Sequence, residues 1–141
     1  MIEELDELMK FYDNDNSVIS NYWYDEGIEE ANEILQKFTD DEWNRLILSL
    51  PSRSVIWKKR FVYCLTDTNN MNHLKALLSI IKTDNEELFC IAISFLNQFD
   101  LKDIPEKEEI LNRINELLPI TNSKISEMVY NTFLERNGRA R

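Results

Sequence analysis

Residues 39 to 65, TDDEWNRLILSLPSRSVIWKKRFVYCL, decide how the rest of the chain is read. Thr39 followed three residues later by Glu42 has the form of a capping box, with a hydroxyl at the cap and a carboxylate that reaches back. Behind it, Trp43, Leu46, Ile47 and Leu50 recur at spacings of three and four, which places them on one helix face. Pro51 cannot continue that helix, and Ser54 can cap the next, whose apolar residues are Trp57, Phe61, Cys64 and Leu65. Two amphipathic helices joined by a short link make a helical hairpin.

The same period runs outward in both directions. Ile2, Leu5, Leu8, Met9 and Tyr12 form one face. Ile28, Ala31, Ile34, Leu35 and Phe38 form another, after an expected cap at Asp25. Downstream, Leu74, Leu77, Leu78 and Ile81 mark a fifth helix. Asp84 with Glu87 gives a capping signal for a sixth, through Leu88, Ile91, Ala92, Phe95 and Leu96. Pro105 sits near the first turn of a seventh, with Ile110, Leu111, Ile114 and Leu117, and Pro119 ends it. Ile125, Met128, Val129 and Phe133 form the last. Two glycines and three prolines leave little turn chemistry for β-hairpins. The expected fold class is therefore all-α: about eight helices in antiparallel hairpins.

Three helices also echo one another. Residues 57–65 (WKKRFVYCL), 88–96 (LFCIAISFL) and 126–134 (SEMVYNTFL) align so that Leu65, Leu96 and Leu134 coincide, as do Cys64, Phe95 and Phe133. Repeated hairpins that cannot bury their apolar faces alone stack into a solenoid, so a HEAT-like α-solenoid is the first expectation and an irregular helical bundle the alternative. At 141 residues the chain is expected to be a single domain, with acidic helices over 1–38 and stacked hairpins over 39–136.

The stretch Trp43…Leu46…Leu50-Pro51-Ser52-Arg53-Ser54…Trp57-Lys58-Lys59-Arg60 through Leu65, continued by Lys75 to Leu96, resembles a segment of small helical-repeat immunity proteins. Those proteins accompany bacterial polymorphic toxins, including contact-dependent growth-inhibition toxins. The resemblance covers residues 39 to 100. It implies a cytoplasmic inhibitor that binds one cognate toxin domain, often a nuclease, and blocks its active site. It carries over no catalytic residue. A HEAT-like adaptor in a cellular complex and a DNA-binding or base-excising solenoid are the alternatives from other classes.

Charge adds a feature outside that match. The first 51 residues hold fourteen acids and three bases, a local charge of −11, while the whole chain stands at −10. Within the acidic third lies Tyr22-Trp23-Tyr24, followed by Asp25, Glu26, Glu29, Glu30 and Glu33, with Asp40 and Asp41 beyond. Acid repels nucleic acid and anionic lipid, whereas aromatics beside charge suit a protein interface. These ten residues are the candidate partner-binding set, for a basic protein partner, with Trp23 expected inside and Tyr22 or Tyr24 outside if core and interface are both served. The concave face of the stack, near Arg53 and Trp57, is the second candidate surface.

Chemistry-bearing motifs are sparse. No Gly-rich phosphate loop, nucleophile elbow or HExxH pattern occurs, so no catalytic residue, metal site or cofactor is expected. The sole histidine, His73, reads as a surface or cap residue. Cys64 and Cys90 read as buried small hydrophobes in a reducing cytosol. Arg53, Lys58, Lys59 and Arg60 form a local basic cluster, expected to pair with acids of neighbouring helices or to form a rim of the partner site. No apolar run approaches the roughly 20 residues of a membrane span, and neither membrane nor nucleic acid is expected as a partner.

Overall fold

The structure, a computed structural model, describes residues 2–12 and 22–138. Among them are eight α-helices and no strand: α1 (Ile2–Tyr12), α2 (Ile28–Gln36), α3 (Asp40–Ser49), α4 (Val55–Val62), α5 (Met71–Ile80), α6 (Glu86–Leu96), α7 (Lys107–Leu117) and α8 (Lys124–Asn137). A π-helical turn, Trp23–Gly27, leads directly into α2, and a 3-10 turn, Leu50–Ser52, separates α3 from α4. The fold is all-α. Its helices gather into two compact units, one ending at Cys64 and one beginning at Leu65.

Local chemistry accounts for the helix starts. Thr39 Oγ1 accepts from the Glu42 backbone N–H at 3.2 Å, and the Thr39 N–H donates to Glu42 Oε1 at 2.9 Å, completing the capping box. Those bonds hold the Glu42 carboxyl below its usual range, the backbone bond at Thr39 being the largest cause. Phe38, grouped by periodicity with α2, lies past that helix's end, and its ring meets Trp43 edge-on at 5.6 Å. It is the residue before the cap touching the fourth helical position, a hydrophobic staple that fixes how the chain enters α3. Ser54 caps α4 by accepting from the Trp57 N–H at 3.1 Å. Cys64 and Leu65 are buried but lie beyond α4, which stops at Val62.

Two expected caps fall elsewhere. At α6 the capping side chain is Asn85, which accepts from the Leu88 N–H at 2.9 Å, and not Asp84. Asn85 has the extended backbone of a cap, and Thr83 Oγ1 accepts its N–H at 3.1 Å. Asp25 caps nothing, because helical backbone already begins at Tyr22 and Asp25 lies inside the π-turn.

In the first unit α1 packs on the π-turn and on α2. Leu5, Met9 and Tyr12 from α1 are buried there, with Trp23, Ala31 and Leu35 opposite. Trp43, Leu46, Trp57 and Phe61 are also buried, with the Trp57 and Phe61 rings 5.0 Å apart. In the second unit α6 packs against α5 and α8, and α7 packs against α8. Phe89 and Tyr130 carry that contact from α6 to α8, their ring centroids 6.1 Å apart. Asp103, in the link before α7, adopts φ 67°, a left-handed conformation that Asp tolerates better than most side chains.

His73 is not on the surface. It is 8% exposed, and its Nδ1 accepts the Asp67 backbone N–H at 3.2 Å, tying the link before α5 to the helix itself. An accepting Nδ1 requires the neutral ring with its proton on Nε2. Burial pushes the His73 pKa below the ordinary 6.5, against a smaller opposing pull from Asp67. A base whose pKa is depressed by folding binds more protons when unfolded, so stability is full above about pH 6.5 and declines as pH falls toward the folded pKa. Each pKa unit of depression corresponds to about 1.4 kcal/mol. His73→Gln is therefore expected to flatten the pH dependence of urea unfolding between about pH 6.5 and the carboxylate range. An unchanged slope would show that His73 does not couple protons to folding.

Candidate acidic aromatic face

The ten residues singled out in the sequence separate cleanly by burial. Trp23 is fully buried. Tyr22 is 47% exposed and Tyr24 59%, while Asp25, Glu26, Glu29, Glu30, Glu33, Asp40 and Asp41 are all exposed. Trp23 thus drops out of the candidate contact set, since its indole is enclosed by the first unit. The two tyrosines and seven carboxylates remain.

The division is produced by helix geometry. Trp23, Gly27, Ala31 and Leu35 are all buried and follow at every fourth residue. In an α-helix four residues over-rotate by about 40°, so a line of this spacing drifts off one face. The first turn is wider, closed by a bond from the Ile28 N–H to the Trp23 carbonyl five residues back. A π-turn advances fewer degrees per residue, which brings Trp23 back over the buried line. It also directs the polar residues between, Asp25 and Glu26, outward.

Trp23 can lie down on its own helix because residue 27 has no side chain. A Cβ added at Gly27 would collide with Trp23 Cε3 and stand 2.9 Å from Tyr12 Cε2. The backbone at Gly27 is ordinary right-handed helix (φ −63°), so space and not conformational freedom is what glycine provides. Tyr12 completes the arrangement from α1, its ring 5.4 Å from the Trp23 ring and inclined at 68°. Burial raises the Tyr12 phenol above its usual range, and the charges of Glu30 and then Glu26 raise it further. Those two carboxylates therefore act on the buried cluster from outside.

Tyr24 has a partner that the sequence reading missed. Its ring meets Tyr63, the C-cap residue of α4, edge to face at 5.3 Å and 89°. Burial, then Tyr24 itself, raises the Tyr63 phenol. Tyr24 is thereby held in place while most of its surface stays open. An aromatic whose rotamer is already fixed loses less entropy when a partner covers it. Local periodicity could not show this pair, because 39 positions separate the two rings in sequence.

The second candidate surface has a different fate. Arg53 pairs with Asp6 of α1 through both guanidinium nitrogens Nη1 and Nη2, and its Nε donates to Ser49 Oγ at 2.8 Å. Its guanidinium also lies 4.2 Å over the ring of Trp57, which is 7% exposed. Lys58 is 8% exposed. Arg53 is thus committed to an acid of a neighbouring helix, as the sequence led one to expect, and Trp57 is core. Cys64 is buried, its thiol pushed up to about 12 by desolvation, whereas Cys90 is only partly buried and its Sγ lies 3.5 Å from Ser126 Oγ. Both thiols are free. Among the described residues no three metal-binding side chains come together, and no helix is long and apolar enough to cross a membrane.

Comparison with protein-family models, with curated proteins and with solved structures returned no match to this chain.

The geometry at residue 27 makes a direct prediction. Ala is a better helix former than Gly by about 1 kcal/mol, yet Gly27→Ala is expected to destabilise the protein by about 1–3 kcal/mol through overpacking against Trp23 and Tyr12. The urea midpoint measures the balance. A variant as stable as the parent would mean that the indole has room to move.

Proposed function

We propose that this chain is an immunity-type inhibitor that binds and neutralises a basic, nuclease-type toxin domain through the face presented by the π-turn and α2. The observation that carries the reading is the exposure of Tyr22 and Tyr24 beside the five exposed carboxylates of the π-turn and α2, on a helix fixed from beneath by Trp23. The resemblance of residues 39 to 100 to helical-repeat immunity proteins points to the same class, and with it to action in the bacterial cytoplasm. It also carries a HEAT-like stacking of the hairpins, for which the packing of α5 on α6 and of α7 on α8 is the support within the second unit.

The physical logic is that of a charge mimic. A nuclease holds phosphates with Lys and Arg, and a row of carboxylates offers those cations an alternative anion. The charge accelerates encounter, toward about 10⁸–10⁹ M⁻¹s⁻¹ when steering is strong and salt is low. Affinity then depends on desolvated anchors, which Tyr22 and Tyr24 supply; a true hot spot is worth about 2 kcal/mol or more. Carboxylates farther than a Debye length of about 8 Å from the contact contribute little at physiological salt. Inhibition is stoichiometric and needs no catalytic group on this chain.

Two measurements on the complex with the cognate toxin domain separate steering from anchoring. Reversing Glu29 and Glu33 to Lys together is expected to slow association and flatten its dependence on ionic strength. Tyr24→Ala is expected to leave the association rate within about threefold and raise dissociation by roughly 30-fold, the equivalent of about 2 kcal/mol. Parental salt dependence in the first variant and parental dissociation in the second would remove this face from the interface.

A further inference from the structure

A second feature lies within the C-terminal unit and does not depend on the reading above. Where α6 packs on α8, Cys90 meets Ser126, which stands one helical turn before Tyr130 on the same face of α8. The Cys90 Sγ lies 3.5 Å from Ser126 Oγ, a weak contact. Tyr130 is fully buried, and its hydroxyl has no hydrogen-bond partner among the described residues. A buried hydroxyl left unpaired costs stability, so a native core that keeps one requires a reason for it. Burial raises the Tyr130 phenol above its usual range, and the charge of Cys90 is the next cause, ahead of that of Glu86. The hydroxyl is thus directed at the sulfur, near enough to sense its charge but without a hydrogen bond of normal geometry.

The neighbours hold this arrangement in place. Phe89 packs against the phenol with 6.1 Å between ring centroids. Arg113 of α7 lies 4.1 Å over Phe89, its Nη1 donating to the carbonyls of Ile81 at 3.1 Å and Thr83 at 2.6 Å, and it exerts a weaker, opposite pull on the Tyr130 phenol. The two thiols of the chain differ in access. Cys64 is wholly buried and its thiol is pushed up to about 12 by desolvation, which keeps it inert. Cys90 is free and only partly buried, so its position retains solvent contact.

We propose that Cys90 is a site of reversible oxidation by hydrogen peroxide to the sulfenic acid, and that Tyr130 and Ser126 hold the oxygen added to its sulfur. In that step the thiolate sulfur attacks one peroxide oxygen, an S–O bond forms and the O–O bond breaks. The sulfur gives up two electrons and the peroxide is reduced. The second oxygen leaves as hydroxide and, with the proton released by the thiol, becomes water. The new oxygen projects beyond Sγ and closes the gap to the Tyr130 hydroxyl, which stays protonated and donates to it. Ser126 Oγ, already beside the sulfur, completes the cradle from the preceding turn of α8. The surroundings favour the product and not the attack. Glu86, one turn before Cys90 on α6, adds negative charge that opposes a thiolate. The distinguishing property is therefore the persistence of the sulfenic acid, held between two hydroxyls and slowed in its further oxidation to the sulfinic acid.

The test treats the full chain with hydrogen peroxide, removes the excess with catalase and adds dimedone, which traps sulfenic acids, after increasing delays. Peptide mass spectrometry is expected to place the adduct on Cys90 and not on Cys64. Tyr130→Phe removes only the unpaired hydroxyl, so it is expected to fold with an unchanged or higher thermal midpoint. Its trappable sulfenic acid should disappear about fivefold faster, the effect of one hydrogen bond of typical strength, with sulfinic acid in its place. Ser126→Ala should shorten the lifetime in the same direction. No dimedone adduct at Cys90 would overturn the proposal. So would equal labelling of Cys64, or a lifetime indifferent to both Tyr130→Phe and Ser126→Ala.

Discussion

The seating of the Trp23 indole over Gly27 is the constraint on which the N-terminal unit depends. The ring lies where a Cβ would be, and Tyr12 closes over both. That single contact fixes three things together. It fastens α1 to the helix beginning at Tyr22, it requires the wide first turn that keeps Trp23 above Ala31 and Leu35, and it sends the two neighbouring tyrosines outward. A large fully buried side chain flanked by two exposed rings is thus the result of packing, and one of those rings, Tyr24, also meets Tyr63 edge to face.

Charge is organised around that anchor. Glu26 and Glu30 stand close enough to the buried Tyr12 phenol to disfavour its ionisation, while the acids of the first turn of α3 sit at the positive end of a helix dipole. Like charges along one helix repel one another, and each is tolerated because it stays solvated. Arg53 takes up Asp6 and covers Trp57, so its charge is spent on α1 and the core and leaves the carboxylates of α2 uncompensated by it. On the proposed reading, the exposed carboxylates supply long-range attraction for a cationic partner and the exposed tyrosines short-range apolar contact once it arrives.

The helices were legible because their causes are local. Thr39, Glu42 and Ser54 announce their roles within four residues, and the three- and four-residue periods name most of the core, but not Phe89, Ile93 or Tyr130, while Ile125 and Met128, grouped on the face of α8, are exposed. Boundaries moved where a local signal competed with packing: Asn85 displaced Asp84 as a cap, and helical backbone extended upstream of Asp25 so that Trp23 could be buried. What the sequence withheld depends on partners distant along the chain. Arg53 finds Asp6 47 positions away, Arg113 finds Ile81 and Thr83 about 30 away, and His73 becomes a core acceptor only once the preceding link folds back to it. One signal was available and unread. Trp23, Gly27, Ala31 and Leu35 form a four-residue series in which the smallest residues follow the largest, the pattern of a ring lying along its own helix.

The central claim, that the outward tyrosines of this turn meet a basic protein, is tested most directly by placing the photo-crosslinking residue p-benzoylphenylalanine at position 24, in place of Tyr24, in the native host. Thr132, exposed on α8, serves as the comparison position. One dominant adduct is predicted from position 24, identified by mass spectrometry as a basic toxin domain, and no such adduct from position 132. No adduct at position 24, or the same set of adducts from both positions, would contradict it.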